Sequence, residues 1–496
     1  MVTTEQKNKI ESIWQAFYNG GMSVQTTIVD QLCVLMYLKM LDDKQSKMEA
    51  SATAINEKLK ESLKIFKKGD WENPETNIKI PYDDLRWSNF KNLNAVELPK
   101  RIRDYCFPFI KNLTKDNSDV FAKFLSDVSY GFDGKQEVLV KVVDMMSDID
   151  FTDNDAMGDF FEHLIDGKIN GQFRTPRHII DMMVNMVQPV ITDYIIDPAM
   201  GTAGFLIETA KYLKLKYKKE LLNIDNKKFF QTEQFTGVDT ESVMARIGCM
   251  NLIFHDCLHP DLSTRSLLIE ENNKNYINKF DIVLANPPFA GSLDSSTTDS
   301  NLLAITNTRK TELLFVALFI RLLKIGGKCA SIVPDGVLTG DKNAFISVKK
   351  NLVEEQKLKA VVSLPANVFQ PYSGVKTSFI IFEKTGNGGT DNVWFYEMEG
   401  DGYTLDAQRN PDPEHDDCED VVKRYNNLDK EKNRTRYDKS FLVPIDEIRA
   451  NNYDLSFKKY KQVKRENIEY RKPKEILKDL KKLNALYDKT FEELLK

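Results

Sequence analysis

At 496 residues the chain is long enough for more than one domain and a sizeable core. Its 42% hydrophobic and 29% charged composition is that of an ordinary water-soluble protein, without an apolar window of membrane-spanning length or a signal-peptide core at Met1–Lys7. With a net charge of -5, either the basic residues are segregated on one face or a partner does much of any gripping of DNA, since phosphate binding calls for a strong basic face.

The six cysteines are scattered with no CxxC pair, so reduced thiols in the cytoplasm are expected. His255, Cys257 and His259 lie close together but lack the spacing of a structural zinc site, and no metal is expected.

Residues 1–150 read as a helical domain, with apolar residues at helical spacing from Val24 to Met48 and a connecting loop from Gly69 to Asn89. Residues 151–390 alternate strands with helices, which predicts a Rossmann-like α/β domain built on a mostly parallel sheet. Residues 391–440 read as an irregular connection, and 441–496 as a helical tail. In its last helix Ile476, Leu480, Leu483, Tyr487, Phe491 and Leu494 form one apolar stripe, for packing on its own domain or on a partner.

Within the α/β domain, Gly171-Gln172-Phe173-Arg174-Thr175-Pro176 leads into a helix from Arg177. Thr175 is expected as its cap and Pro176 in its first turn, leaving N–H groups that suit a carboxylate. The strand through Asp197 runs into Pro198-Ala199-Met200-Gly201-Thr202-Ala203-Gly204 and a helix from Phe205. Such a turn is either a tight connection or a nucleotide cradle. Asp239 ends the next strand, where a carboxylate can accept from both hydroxyls of a ribose. Asp256 is expected to end the third strand and to accept from an adenine amino group. Three acidic strand ends in this order favour a nucleoside site over three solvated carboxylates.

The most telling stretch is the apolar strand Phe280–Ala285 followed by Asn286-Pro287-Pro288-Phe289. Two prolines remove two backbone donors, so the turn offers carbonyls and one amide side chain. An exocyclic amino group needs two acceptors, and the aromatic ring of Phe289 is placed to stack on a flat base. That chemistry is methylation of a nucleobase amino group.

Together these motifs resemble the modification (M) subunit of type I restriction-modification systems, an N6-adenine DNA methyltransferase. The resemblance runs over most of the chain, from Leu38–Asp43 and Gly158–Ile165 through Gln172-Phe173-Arg174-Thr175-Pro176, Asp197–Leu206, Asp239, Asp256 and Asn286–Phe289 to Gly374–Ser378. It departs at Met200 and Ala203, where the family usually has Cys and Gly. Met200 is expected to turn away, and Ala203 to add only a methyl group.

The resemblance implies S-adenosylmethionine as cofactor, held by Gln172, Phe173, Thr175, Pro176, the Asp197–Phe205 turn, Asp239 and Asp256. It implies an adenine flipped from double-stranded DNA, its amino group held by Asn286 and Pro287. Phe289 would stack on the base, with either Phe369 or Tyr372 opposite. It also implies a separate specificity (S) subunit, with two M chains per S, and a restriction (R) subunit for cleavage. An N4-cytosine, protein or RNA amino methyltransferase and a non-catalytic scaffold are the competing readings. A dehydrogenase is disfavoured by the lack of GxGxxG.

Overall fold

The computed structural model describes residues 3–113, 120–125, 127–149, 154–165, 174–463 and 472–495. The helical domain begins with α1 (Thr4–Asn19) and α2 (Gln25–Ala54). Helix α1 starts on a capping box, in which the Thr3 side chain and Gln6 exchange bonds with each other's backbone. In α2 the run Gln31–Lys39 is buried on every side, so this helix is the domain's axis rather than a one-sided surface helix. The expected loop at Gly69–Asn89 holds a small antiparallel pair, β1 (Asp70–Glu72) with β2 (Lys79–Pro81). Helices α3 (Gln136–Ser147) and α4 (Asn154–Ile165) follow.

The second domain opens with α5 (Arg177–Val187), β3 (Ile195–Asp197), α6 (Gly204–Lys216), β4 (Phe235–Asp239), α7 (Ser242–Phe254) and β5 (Asp261–Thr264). It continues with β6 (Phe280–Ala285), α8 (Thr311–Leu322), β7 (Leu323–Pro334), β8 (Lys357–Ser363) and β9 (Thr377–Glu383). The sheet has nine strands in the order β13-β10-β8-β9-β7-β6-β3-β4-β5, where β10 is Asn392–Glu397 and β13 is Ser440–Pro444. Pairing is parallel from β7 through β6, β3 and β4 to β5, and between β10 and β8. Strand β9 runs antiparallel between β7 and β8, and β13 antiparallel to β10. This mostly parallel α/β sheet agrees with the expected fold class.

Two strand ends meet at the centre. The chain goes from β3 outward to β4 and β5, then crosses back to β6 on the other side of β3. Ligands of open α/β sheets bind in the crevice that such a reversal opens at the carboxyl edge. The crevice here is flanked by Asp197, Asp239 and Asn286. Strand β6 is central and covered on both faces, so all its residues but the half-buried Asp281 are buried. Ile282 and Leu284 face one core, Val283 and Ala285 the other. The first core is continuous with the interior of the helical domain, including Trp14, Leu35 and Phe121.

Polar contacts join the two domains as well. Arg246 of α7, 1% exposed, pairs through Nε with Asp30 of α2 at 2.8 Å and through Nη1 with Asp127 at 2.8 Å. Within the helical domain, the indole of Trp14 in α1 donates to the Leu164 carbonyl of α4 at 2.7 Å.

The expected segmentation beyond residue 390 needs correction. Strand β10, with Val393, Trp394, Phe395 and Tyr396 all buried, lies in the main sheet, and β13 continues it. Between them β11 (Asp401–Tyr403) and β12 (Pro411–Asp416) form a hairpin where a loop was expected, followed by α9 (Cys418–Tyr425). Phe457 and Tyr460 also pack into the core. Helix α10 (Pro473–Leu494) buries no residue. Its apolar stripe is open, from Ile476 at 44% exposed to Leu494 at 80%, which answers against packing on its own domain. No helix among the described residues is long and apolar enough to cross a membrane, and no group of side chains there is arranged to hold a metal.

Candidate functional site

The glycine turn connects β3 to α6 and is bonded to its surroundings throughout. Asp197 is 1% exposed, and its Oδ1 accepts from the Ala199 amide at 3.0 Å. Burial pushes its carboxyl well above the usual range, with the nearby Asp239 charge adding to the effect. Asp197 therefore braces the turn from below. Pro198 and Phe205 are buried, Ala199 half-buried, and the Thr202 carbonyl accepts from Asn251 at 3.1 Å.

Gly201 has φ +51°, and a Cβ there would meet open space, so the backbone presents an uncovered face at the strand edge. At Gly204 a Cβ would meet the Arg177 guanidinium at 2.8 Å, which itself donates to the Gly204 carbonyl at 2.8 Å. Arg177, not singled out in the sequence, thus ties α5 to the turn, and it also pairs with Glu162 and Glu208. Its position directly after Thr175-Pro176 was the available signal.

Met200 turns away as expected. It is 3% exposed and lies under the turn, where a Cβ on Gly237 would come within 2.2 Å of its Sδ. Ala203 is more than an added methyl group. It sits at φ +65° as the residue before α6, a left-handed backbone that costs an L-residue about 1–2 kcal/mol.

Asp239 ends β4 beside Gly201. Its Oδ2 accepts from the Gly201 amide and its Oδ1 from the Glu241 amide, each at 2.9 Å. Each oxygen keeps a second lone pair for a ligand. Asp256 is elsewhere. It follows the C-terminal end of α7, at φ +68°, and pairs with Lys214 near the end of α6 at 2.9 Å. Both helices run back from the carboxyl edge, so Asp256 lies at the opposite edge of the sheet, away from Gly201. The third strand ends instead in Ser263-Thr264, and the amide of Arg265 just after it donates to the Asp239 carbonyl at 2.8 Å.

Across the crevice, Asn286 follows β6. Its Nδ2 donates to Thr175 Oγ1 at 2.9 Å, while its Oδ1 is enclosed and has no hydrogen-bond partner among the described residues. Thr175 therefore does not cap α5. The residue before the helix is Pro176, and among the described residues no side chain caps that end. Gln172 and Phe173 lie outside the described residues. Pro287 is buried, Pro288 exposed and Phe289 half-buried. The ring of Phe369, 2% exposed, meets Phe289 edge-on at 6.3 Å and 78°. Tyr372 is 36% exposed.

A cavity of about 600 Å³ opens beside this turn, lined among others by Thr175, His178, Phe369, Tyr372, Tyr403 and Arg409. The hairpin of β11 and β12 forms one wall. His178 stacks on Tyr403 at 4.7 Å and meets Asp401 Oδ2 at 2.8 Å. Burial alone would raise the Asp401 carboxyl, but the hydrogen bonds from His178 and Arg409 hold it below its usual range.

The site thus has two parts. One is a glycine cradle beside a strand-end carboxylate. The other is an amide acceptor with nothing to accept, next to aromatic rings. Comparison with known proteins matches both this domain and the helical one. Residues 152–469 match the N-6 DNA methylase family, and residues 6–146 the HsdM N-terminal domain. The methylase subunit of the type I restriction enzyme EcoEI from Escherichia coli is 27% identical over 453 residues, covering 89% of this chain and 87% of that one. That of EcoKI from Escherichia coli K12 is 29% identical over 263 residues, covering 49% and 48%. A structure solved in a study of complex assembly and conformational transition in the type I R-M system superimposes with a TM-score of 0.68 at 26% identity, over 98% of this chain and 96% of that one. The methyltransferase subunit of a type I system from Streptococcus thermophilus shares the fold, with a TM-score of 0.65 at 20% identity over 91% and 100%. The chain belongs to the N-6 DNA methylase family, with the domain build of a type I methylase subunit, and is a site-specific adenine DNA methyltransferase.

Proposed function

We propose that the Asn286–Phe289 turn holds the exocyclic amino group of an adenine flipped out of duplex DNA, and that the Gly201 cradle holds S-adenosylmethionine. The observation that carries this reading is the Asn286 Oδ1. Among the described residues it is a buried acceptor without a partner, in a turn at the carboxyl edge of the sheet. A lone buried acceptor is costly, about 1–3 kcal/mol, unless something arrives to satisfy it. The cradle fits the cofactor in the same way, since Gly201 faces open space and Asp239 keeps acceptor capacity for ribose hydroxyls.

S-adenosylmethionine, when bound, supplies a methyl group on a positively charged sulfur. The protein's part is to present the amine. Asn286 Oδ1 and the Pro287 carbonyl accept the two amino hydrogens, which draws the nitrogen lone pair out of conjugation with the ring. Phe289 stacks on one face of the base. Tyr372 takes the other face, while Phe369 buttresses Phe289 from behind. Holding donor and acceptor in line provides most of the acceleration.

The chain is read as one part of a complex acting in the cytoplasm. The open stripe of α10 supports docking on a separate specificity subunit, two M chains to one S, with a restriction subunit joining for cleavage. The catalytic domain then runs from 151 to about 460, and α10 is the docking element. The test is Asn286→Ala in the complex assembled with its specificity partner. Methyl transfer to DNA should fall about 10²–10³-fold, with assembly and cofactor binding retained. Persistent methylation would refute the assignment.

A further inference from the structure

The amide of Asn286 has two unlike ends, and only one of them suits the proposed substrate. An amino group approaching Nδ2 would bring donors against donors. Turning the amide over changes its shape very little, so a hydrogen-bonding neighbour must choose the end presented. That neighbour is Thr175, which stands 111 positions earlier in the chain and accepts from Nδ2 at 2.9 Å.

A hydroxyl accepts and donates, so by itself it tolerates either end of the amide. What decides is where its own hydrogen goes. Among the described residues no acceptor takes the Thr175 hydrogen. Thr175 also stands just before α5, whose amino end has no side-chain cap. An anion seated there would take that hydrogen and leave Oγ1 able only to accept. Nδ2 must then face Thr175, and Oδ1 must face the base.

We propose, building on the reading of Asn286 as the amine acceptor, that Thr175 is a positioning residue that makes base capture conditional on cofactor. The cofactor's carboxylate sets the Thr175 hydroxyl, and the hydroxyl sets the Asn286 amide. Binding of cofactor and of the extrahelical adenine is therefore cooperative, and the coupling is reciprocal.

The test compares wild type, Thr175→Val and Thr175→Ser in the full complex with its specificity partner. Affinity for S-adenosylhomocysteine is measured by calorimetry, with and without a duplex carrying adenine at the target position and 2-aminopurine at the neighbouring position. The 2-aminopurine fluorescence reports base capture, and kcat is taken at saturating cofactor. Wild type should show coupling of about 5-fold or more. Thr175→Val should bring it close to unity and lower kcat about 10–100-fold, and Thr175→Ser should restore both. Two results would overturn the proposal. One is coupling and kcat unchanged in Thr175→Val. The other is a loss confined to S-adenosylhomocysteine affinity, with kcat at saturation intact. Failure of the underlying reading would look different, since Asn286→Ala would then methylate normally whatever Thr175 does.

Discussion

The two halves of the crevice are built on opposite plans. The backbone of the cradle at Asp197–Gly204 is tied at four points: Asp197 braces Ala199, Asp239 holds Gly201, Asn251 and Arg177 hold the carbonyls of Thr202 and Gly204. The turn at Asn286–Phe289 is unfinished, with one end of the amide bonded and the other empty. A backbone tied at several points makes a rigid receptor that needs little reorganisation when a ligand arrives. An unfinished one carries a deficit that the right substrate removes, so it discriminates by chemistry rather than by shape. Substitutions in the cradle should therefore register in stability and cofactor affinity. Substitutions at the face of the clamp should register in turnover and base binding, at constant stability.

The largest stability effect is expected where the clamp's support is buried. Phe369→Ala removes a ring that is 2% exposed, and should cost about 3–5 kcal/mol in chemical denaturation. Next comes Gly237→Ala in β4. Its Cβ would sit 2.2 Å from Met200 Sδ and 2.8 Å from Leu262 Cδ2, so both side chains must move. About 1–3 kcal/mol of stability should be lost, with weaker cofactor binding in calorimetry because Met200 underlies the turn. Tyr372→Ala is the contrasting case. It should leave the denaturation midpoint in place yet weaken capture of an extrahelical base by about 1–3 kcal/mol, read by 2-aminopurine fluorescence. If Phe369→Ala instead spared stability and Tyr372→Ala did not, their roles would be exchanged.

The smallest expected effect is a pH dependence. Burial raises the Asp197 carboxyl in the folded state, so the fold binds this proton more tightly than the unfolded chain does. The stabilising contribution is full below the ordinary carboxylate range and is lost as pH rises through the elevated folded value. Asp197→Asn keeps an acceptor for the Ala199 amide and removes the buried charge. It should stabilise the protein at neutral pH, with the gain shrinking toward acid pH in urea titrations. A gain that grew toward acid pH would contradict the assignment.

The parts of this site that could be read from sequence are those whose elements are locally unambiguous. Strand β6 is an unbroken apolar run because it is central and parallel, so Asn286 was placed correctly, and Asp239 likewise. Asp256 was misplaced because Leu252-Ile253-Phe254 is too short an apolar run to reveal its period. It is the end of α7, while the true third strand, Asp261–Thr264, is polar and lies at the sheet edge. Strand β10 was overlooked for a related reason, being one short buried run between polar stretches. At Thr175 the Thr-Pro pair locally implies a helix cap. The actual partner of Thr175 is Asn286, just after β6, a contact that no local pattern encodes. The left-handed backbone at Ala203 was hidden in the same way, since alanine rarely marks such a position.

The central claim is that Asn286 Oδ1 accepts from the target amino group. Its most direct test is a cycle of two target bases against two proteins, measured as affinity of the assembled complex with S-adenosylhomocysteine present. One duplex carries adenine at the target and the other carries purine, which lacks the amino group. Wild type should prefer adenine by about 10-fold, and Asn286→Ala should lose most of that preference. An undiminished preference in Asn286→Ala would show that the amino group is held by something else.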